Sequence, residues 1–321
     1  MSQPLLAKLR ATDVAEKIGP LAKPADAALL AEWQRSGVRF VSSADRLTER
    51  YYDAVRELFD CIAPAADDTP ILHEGGIYHG CWLESTGTIN AELLSRFLPS
   101  KTTATYSAFA RYQRDDGLFP YKVTPQGPAF NQIQLVTPLA RSVWNHFRLN
   151  RLDTGWLGGM FEAMSRYDSW LAKHRNTLGT GAVEAFSTYD TGHDLSSRFW
   201  HVPDSPFAND PTRYDPDNPI LPFIAPDLTA NVACQRDYLG RMADQLGGDG
   251  DDWRQKAEAS QQALFAQCYD PDDAFFYDRD RHGRMVRIQS DNLLRVLACE
   301  IGDAESFAQA LQRYLLNTRK F

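Results

Sequence analysis

Apolar residues return at helical spacing along most of this 321-residue chain, and each such stretch is closed by a polar segment rich in Gly, Pro, Asp or Ser. That alternation constrains the fold most, because side chains three and four positions apart share one helix face, whereas a strand would need a period of two. Residues 27–63 carry Leu29, Leu30 and Trp33, then Tyr51, Val55, Leu58, Phe59 and Ile62, with a break near Gly37–Ser43, so two helices are predicted there. Residues 90–112, 131–149 and 155–174 predict three more, with Thr154 as a cap for the third and Gly179 and Gly181 after it. Asp227 opens a further helix that Gly247-Gly248 ends. Others follow over 253–268, 292–299 (capped by Ser290) and 304–316 (capped by Asp303). Between 203 and 226 the density of Pro, Asp and Asn predicts a long loop, packed down by Ile220-Leu221-Pro222-Phe223-Ile224, and 269–288 reads as a small hairpin. The expected class is all-α, about nine or ten helices with almost no strand. No fixed repeat of solenoid length is present, so long acid-bearing loops between helices favour a toroid of helical hairpins with a site at one end.

The segment that most resembles a site is Ser187-Thr188-Tyr189-Asp190-Thr191-Gly192-His193-Asp194-Leu195-Ser196-Ser197-Arg198-Phe199. It gathers two acids, a cation, hydroxyls and aromatics in what reads as loop. Asp190 and Asp194 are too close in the chain to oppose each other across a sugar ring, but either can serve as one member of such a pair. Composition narrows the alternatives. A net charge of −8 and no basic run argue against nucleic acid as a partner. The N-terminal residues lack a signal-peptide core, and no stretch reaches membrane-spanning length, so a soluble cytoplasmic protein is expected. Five cysteines without a CxxC pair suit buried, reduced thiols. Seven histidines without ligand spacing and an Asp270–Asp280 cluster without the closing Glu of a calcium loop leave no metal site expected, and no Gly-rich nucleotide loop calls for a cofactor.

Several segments, in order, resemble the (α/α)6-barrel glycoside hydrolases of family 63 and their bacterial relatives, mannosylglycerate hydrolase among them. Gly76-Ile77-Tyr78-His79-Gly80-Cys81-Trp82-Leu83-Glu84-Ser85 stands where that family has an aromatic segment lining the sugar pocket. Asp116-Gly117-Leu118-Phe119-Pro120 matches its Asp-Gly-Met-Leu-Pro turn, and Asn131-Gln132-Ile133-Gln134 its Gln-containing helix start. Thr191-Gly192-His193-Asp194-Leu195-Ser196-Ser197-Arg198-Phe199 is similar to its catalytic-acid motif Ser-Gly-x-Asp-Asn-Ser-x-Arg-Phe. Pro226-Asp227-Leu228-Thr229-Ala230 and Arg287-Ile288-Gln289-Ser290-Asp291 resemble later pocket segments. Glu84 replaces a frequent Asp, and Leu195 replaces the Asn after the acid.

The resemblance implies one catalytic domain over 1–321 and an inverting hydrolase of α-glucosides or α-mannosides, with oligosaccharides or glycosylglycerates as the substrate class. Asp194 becomes the general acid, Tyr78 and Trp82 stack on sugar faces, and Glu84, Gln132, Asp190, Arg198 and Asp227 contact substrate. It also implies a basic Glu near the last barrel helices, which has no match here. The expectation is therefore a domain lacking its last helices, with the base C-terminal to Phe321. Read from the residues alone, alternatives stay open. Asp194 can cap backbone or pair with Arg198, Tyr78 and Trp82 can be core aromatics, and Asp227 can be a helix N-cap. Arg198 is expected to pair with a carboxylate other than Asp194 or to bind substrate, since a cation in contact would keep the acid ionised. A non-catalytic carbohydrate-binding or structural toroid is the alternative function, and a sugar epimerase on a similar toroid, working through His, is a third.

Overall fold

The computed structural model describes residues 3–320, and twelve α-helices lie among them. Four come first: α1 (Gln3–Ala11), α2 (Val14–Ile18), α3 (Asp26–Ser36) and α4 (Asp45–Asp60). Helices α2 to α4 bury Val14, Ile18, Leu29, Trp33, Tyr52, Val55 and Phe59 in a hydrophobic cluster of their own, closed from the far side by Leu72, Leu94 and Leu98. Leu94 at the end of α5 (Ala91–Leu94) thus belongs to this N-terminal cluster, while Ala91 at its start belongs to the main core.

The main core is organised on α9 (Pro226–Gln245), which packs against α7 (Leu139–Asn150), α8 (Thr154–His174), α10 (Asp251–Cys268) and α11 (Asn292–Ala298). Every residue of the first half of α9 is buried, Leu228 and Val232 together with Asn231 and Gln235, and only the second half turns Arg241, Asp244 and Gln245 to solvent. Its partner α10 buries one stripe, Ala257, Ser260, Leu264 and Cys268. The α9–α10 hairpin closes tightly because a Cβ on Gly250 would lie 2.4 Å from the Gly240 carbonyl oxygen. The remaining helices are α6 (Pro99–Arg111), which packs on α7 and α8, and α12 (Ala304–Ala310).

Short strands tie the loops between the helices. β3 (Cys81–Trp82), β4 (Lys122–Thr124) and β5 (Gly127–Ala129) form one antiparallel sheet. β6 (Glu184–Ala185), β7 (Phe223–Ile224), β10 (Asp278–Arg279) and β11 (Met285–Val286) form another. β1 (Ile62–Pro64) with β2 (Pro70–Leu72), and β8 (Tyr269–Asp270) with β9 (Phe275–Phe276), are hairpins. No described helix is long and apolar enough to cross a membrane.

Predicted and observed helices differ at several points. The 90–112 helix is cut in two, and Pro99 occupies the first turn of α6, where its missing N–H costs nothing. The 131–149 helix starts only after Pro138. Residues 131–138 run outside any helix, with the Ile133 N–H donating to Asp190 Oδ1 and the Leu135 N–H to the Asp190 carbonyl. The expected Gln-containing helix start is therefore an irregular segment. Finally, Asp153 rather than Thr154 caps α8, accepting from the Trp156 N–H.

Candidate active site

The loop after β6 owes its shape to Asp190. This side chain is fully buried and its carboxylate accepts from Arg175 Nη1 at 2.6 Å and Nη2 at 3.2 Å, and from the N–H groups of Ile133, Phe186 and Ser187. Such a set satisfies both oxygens and offsets the cost of burying the charge. Arg175 itself lies over the Phe186 ring at 4.1 Å. Nothing of Asp190 reaches a substrate, so the expected sugar contact gives way to a scaffolding role.

The far end of the same loop is fastened in the same manner. Arg198, 1% exposed, places Nη1 and Nη2 each 2.9 Å from the two Asp227 oxygens and Nε 2.9 Å from Asp278 Oδ2. Arg295 of α11 adds a bond from Nη1 to the Thr191 carbonyl at 2.7 Å and approaches Asp227 at 3.4 Å. The Arg198 guanidinium holds the Asp227 carboxyl below its usual range despite burial, while burial pushes Asp278 up to about 6. Asp227 is the second residue of α9, after Pro226, and is neither an N-cap nor a pocket residue. For Arg198 and Asp227 the predicted substrate contacts are thus replaced by a buried ion cluster beneath the loop. Arg198 does pair with carboxylates other than Asp194.

Between these anchors the chain turns through Gly192 (φ +60°) and carries Asp194 outward. A side chain at Gly192 would meet Glu84 Oε2 at 2.4 Å and Val136 Cγ2 at 2.6 Å, so the turn sits directly on the Glu84 carboxyl. His193 points down, with Nε2 3.0 Å from Asp291. Burial and the Arg295 cation lower its pKa, which favours the neutral ring.

Asp194 opens onto a cavity of about 340 Å3 whose walls include Tyr78, Trp82, Glu84 and Gln132, so five of the eight predicted site residues converge. Tyr78 meets Trp82 edge-on with centroids 5.9 Å apart, and Lys122 lies 4.7 Å over the Trp82 ring. Trp82 and Tyr78 are partly open to solvent, as sugar platforms must be and core aromatics are not. Burial raises the Asp194 pKa and the charge of Asp204 adds to it, against a pull from Arg295. Asp190, the acid nearest to Asp194 in sequence, is bound to Arg175 instead. Glu84 is pushed up to about 7, first by burial and then by Asp194 and Glu74.

Glu74, Tyr121, Asn131, Gln134, Tyr189 and Ser205 complete the lining without having been predicted. Gln134 had a signal, since it stands two positions from Gln132, and its Oε1 is buried without a partner in the chain. Glu74, in a Gly-rich loop, offered none. Among the described residues no group of three or more His, Cys, Asp or Glu is arranged to hold a metal ion.

No curated protein sequence matches the chain. Solved structures do, at the level of the fold. A family-63 mannosylglycerate hydrolase from Thermus thermophilus, crystallised with Tris, superposes with a TM-score of 0.66 over 83% of this chain and 77% of that one, at 17% identity. A rhamnosidase from Klebsiella oxytoca with rhamnose bound gives 0.59 at 12% identity, over 87% and 48% of the two chains. Neutral trehalase from Saccharomyces cerevisiae gives 0.52 at 10%, over 76% and 54%. The helices therefore form the toroid of these glycosidases. The mannosylglycerate hydrolase MGH1-like glycoside hydrolase domain matches residues 93–321, well over half of the sequence, and the chain belongs to that family of glycoside hydrolases.

Proposed function

We propose that this chain, as a single catalytic domain, cleaves a small α-glucoside or α-mannoside, an oligosaccharide or a glycosylglycerate, with inversion and with Asp194 as general acid. The observation that carries the reading is the placement of Asp194. It is a partly buried carboxyl held toward its protonated form at the edge of a cavity that also presents two aromatic platforms and several amide and carboxyl groups. Glycoside cleavage passes through an oxocarbenium-like state and needs a proton at the leaving oxygen. A donor of this kind supplies it, and the ion cluster beneath keeps the donor in place.

Trp82 and Tyr78 hold the apolar face of the sugar, while Gln132, Gln134 and Glu84 bind hydroxyls. Burial raises the carboxyls of Glu74 and Glu84, which suits hydrogen bonding to a sugar. Five unpaired cysteines support a cytoplasmic location.

The test is hydrolysis of α-glucosides, α-mannosides and glycosylglycerates by the protein and by Asp194→Asn, with the anomer of the released sugar followed by NMR. Inverted product, lost in the variant, supports the reading. Sugar binding without turnover by the unaltered protein moves it to a carbohydrate-binding role, and retained activity in Asp194→Asn removes Asp194 from the chemistry.

A further inference from the structure

The turn that carries Asp194 is gripped on both sides of Gly192 by one pair of side chains at the start of α11. Arg295 Nη1 donates to the Thr191 carbonyl at 2.7 Å, and Arg295 Nε lies 3.1 Å from one oxygen of Asp291. The other Asp291 oxygen lies 3.0 Å from His193 Nε2. Contacts therefore run in a closed ring from Thr191 through Arg295 and Asp291 to His193, with Gly192 between its two ends. Gly192 is the residue type that constrains a backbone least, so the ring fixes what the glycine leaves free.

The second ring nitrogen of His193, Nδ1, faces Arg198 Nη1 at 3.4 Å. A guanidinium nitrogen can only donate, so Nδ1 must accept; a carboxylate can only accept, so Nε2 must carry the proton. The two neighbours thus select the neutral Nε2–H tautomer. Arg198, Arg295, Asp291 and Asp227 are the charged groups acting on the ring, and the Phe199 ring stands perpendicular to it with centroids 6.3 Å apart. The imidazole therefore bridges the buried Arg198–Asp227–Asp278 cluster to Asp291. Support from the other side of the acid is slight, since Leu195 is 92% exposed at a left-handed φ of +57°. Burial, Asp204 and Arg295 act on the Asp194 carboxyl, with no hydrogen bond among these influences. Its direction is set by the backbone of the turn.

We propose that His193 is a positioning residue for the proton donor: as the neutral Nε2–H tautomer it fastens the acid turn to Asp291, and without that bond Asp194 moves away from the leaving oxygen. The proposal rests on the reading of Asp194 as general acid and adds a residue at the position that the Ser-Gly-x-Asp motif leaves open. An imidazole with both nitrogens engaged beneath the cavity has no free atom for acid–base work on a sugar, which sets His193 apart from epimerase chemistry.

Steady-state hydrolysis and NMR test it separately. His193→Ala should lower kcat by about 30- to 100-fold with KM within about twofold, the scale of misplacing a reacting group by about 1 Å. His193→Gln, whose amide N–H reaches the place of Nε2, should recover kcat to within about fivefold of the unaltered chain, whereas the shorter His193→Asn should not. Asp291→Ala should cost as much as His193→Ala, and the double variant no more than either one. In His193→Ala the alkaline decline of activity should move to lower pH, because the influences that raise the Asp194 carboxyl depend on where the turn holds it. A mere loss of folded protein would lower the amplitude and leave that pH in place. Equal losses in the Gln and Ala variants, or additive losses in the double variant, overturn the proposal. Imidazole nitrogen NMR of the unaltered chain needs no sugar. It should show the Nε2–H tautomer at His193, still neutral at pH 6.5, and an Nδ1–H ring or an imidazolium there overturns the proposal. If the chain binds sugar without turnover, carboxyl carbon NMR reads the same positioning as an Asp194 pKa that falls in His193→Ala, and an unmoved value counts against it. Retained hydrolysis in Asp194→Asn would sink the general-acid reading alone and leave the tautomer and its bond to Asp291 standing.

Discussion

The wall that carries Asp194 is fastened by ion pairs almost out of contact with water, whereas the wall that carries Tyr78 and Trp82 is fastened by short strands and leaves its aromatics partly in solvent. On the first wall, Arg175–Asp190 and Arg198–Asp227–Asp278 bracket a short turn. On the second, β3 contributes only Cys81 and Trp82 to the sheet with β4, and Ile77 and Tyr78 are 84% and 58% exposed. The difference separates two demands on a glycosidase. A proton donor must be held in place to fractions of an ångström, so it rests on groups that cannot rearrange without leaving buried charge behind. A sugar platform works by area, tolerates small displacements, and has to be reachable.

If the first wall is the chemical one, Asp194→Asn should cost the most, about 100- to 10,000-fold in kcat with KM little changed, measured by steady-state hydrolysis. Arg175→Met should come next, as a fold defect rather than a chemical one. Removing the cation leaves Asp190 buried and unpaired, so unfolding free energy should fall by about 3–5 kcal/mol in denaturant melts. A loss under about 1 kcal/mol would mean that the loop is not held as described. Trp82→Ala tests the opposite wall. It should raise KM by about tenfold with kcat within a few-fold, and a selective loss of kcat would erase the distinction between the walls.

The smallest effects concern protons. Activity should decline as pH rises through the folded pKa of Asp194, because only the protonated acid donates. Asp204→Asn, which removes a like charge that raises this pKa, should move the decline to lower pH. Glu84 binds its proton more tightly in the folded chain than in the unfolded one. Its contribution to stability is therefore present below its ordinary pKa of 4.5 and is lost as pH rises toward about 7. His146, buried between Ser95 and Thr103 and lowered to about 4, has the opposite slope between about 4 and 6.5. The two offset one another in the unaltered chain. The Glu84→Gln variant should show melting temperatures that climb more steeply over this range, and an unchanged slope would mean that Glu84 titrates normally.

Much of the fold was legible because it follows from local periodicity. The apolar stripes of α3, α4, α8, α9 and α10 lie where their spacing put them, and Asp303 caps α12 by accepting from the Ser306 N–H. The segment 131–138 was not legible, since its course is set by backbone bonds to Asp190, more than fifty residues away in sequence. The site divides the same way. Asp194, Trp82 and Tyr78 stood out by residue type, but Asp190, Arg198 and Asp227 stand out equally. Their difference lies in depth, and depth depends on Arg175 and Asp278, whose approach no spacing announces. Glu84 marks the boundary between the two cases. Its presence in the pocket could be read from the Trp before it, but its raised pKa comes from burial and from Asp194, which only the folded chain brings near.

The Arg175–Asp190 pair, with neither side chain reaching solvent, bears on where such an enzyme can work. Mobile ions weaken attraction between charges that water surrounds, over a Debye length of about 8 Å at physiological strength, and do little to charges from which water is excluded. Surface pairs such as Lys23–Asp60 will fade in brine, whereas the mounting of the acid turn will not. The turn that carries Asp194 is therefore expected to keep its geometry as potassium chloride is added, under conditions in which exposed pairs loosen.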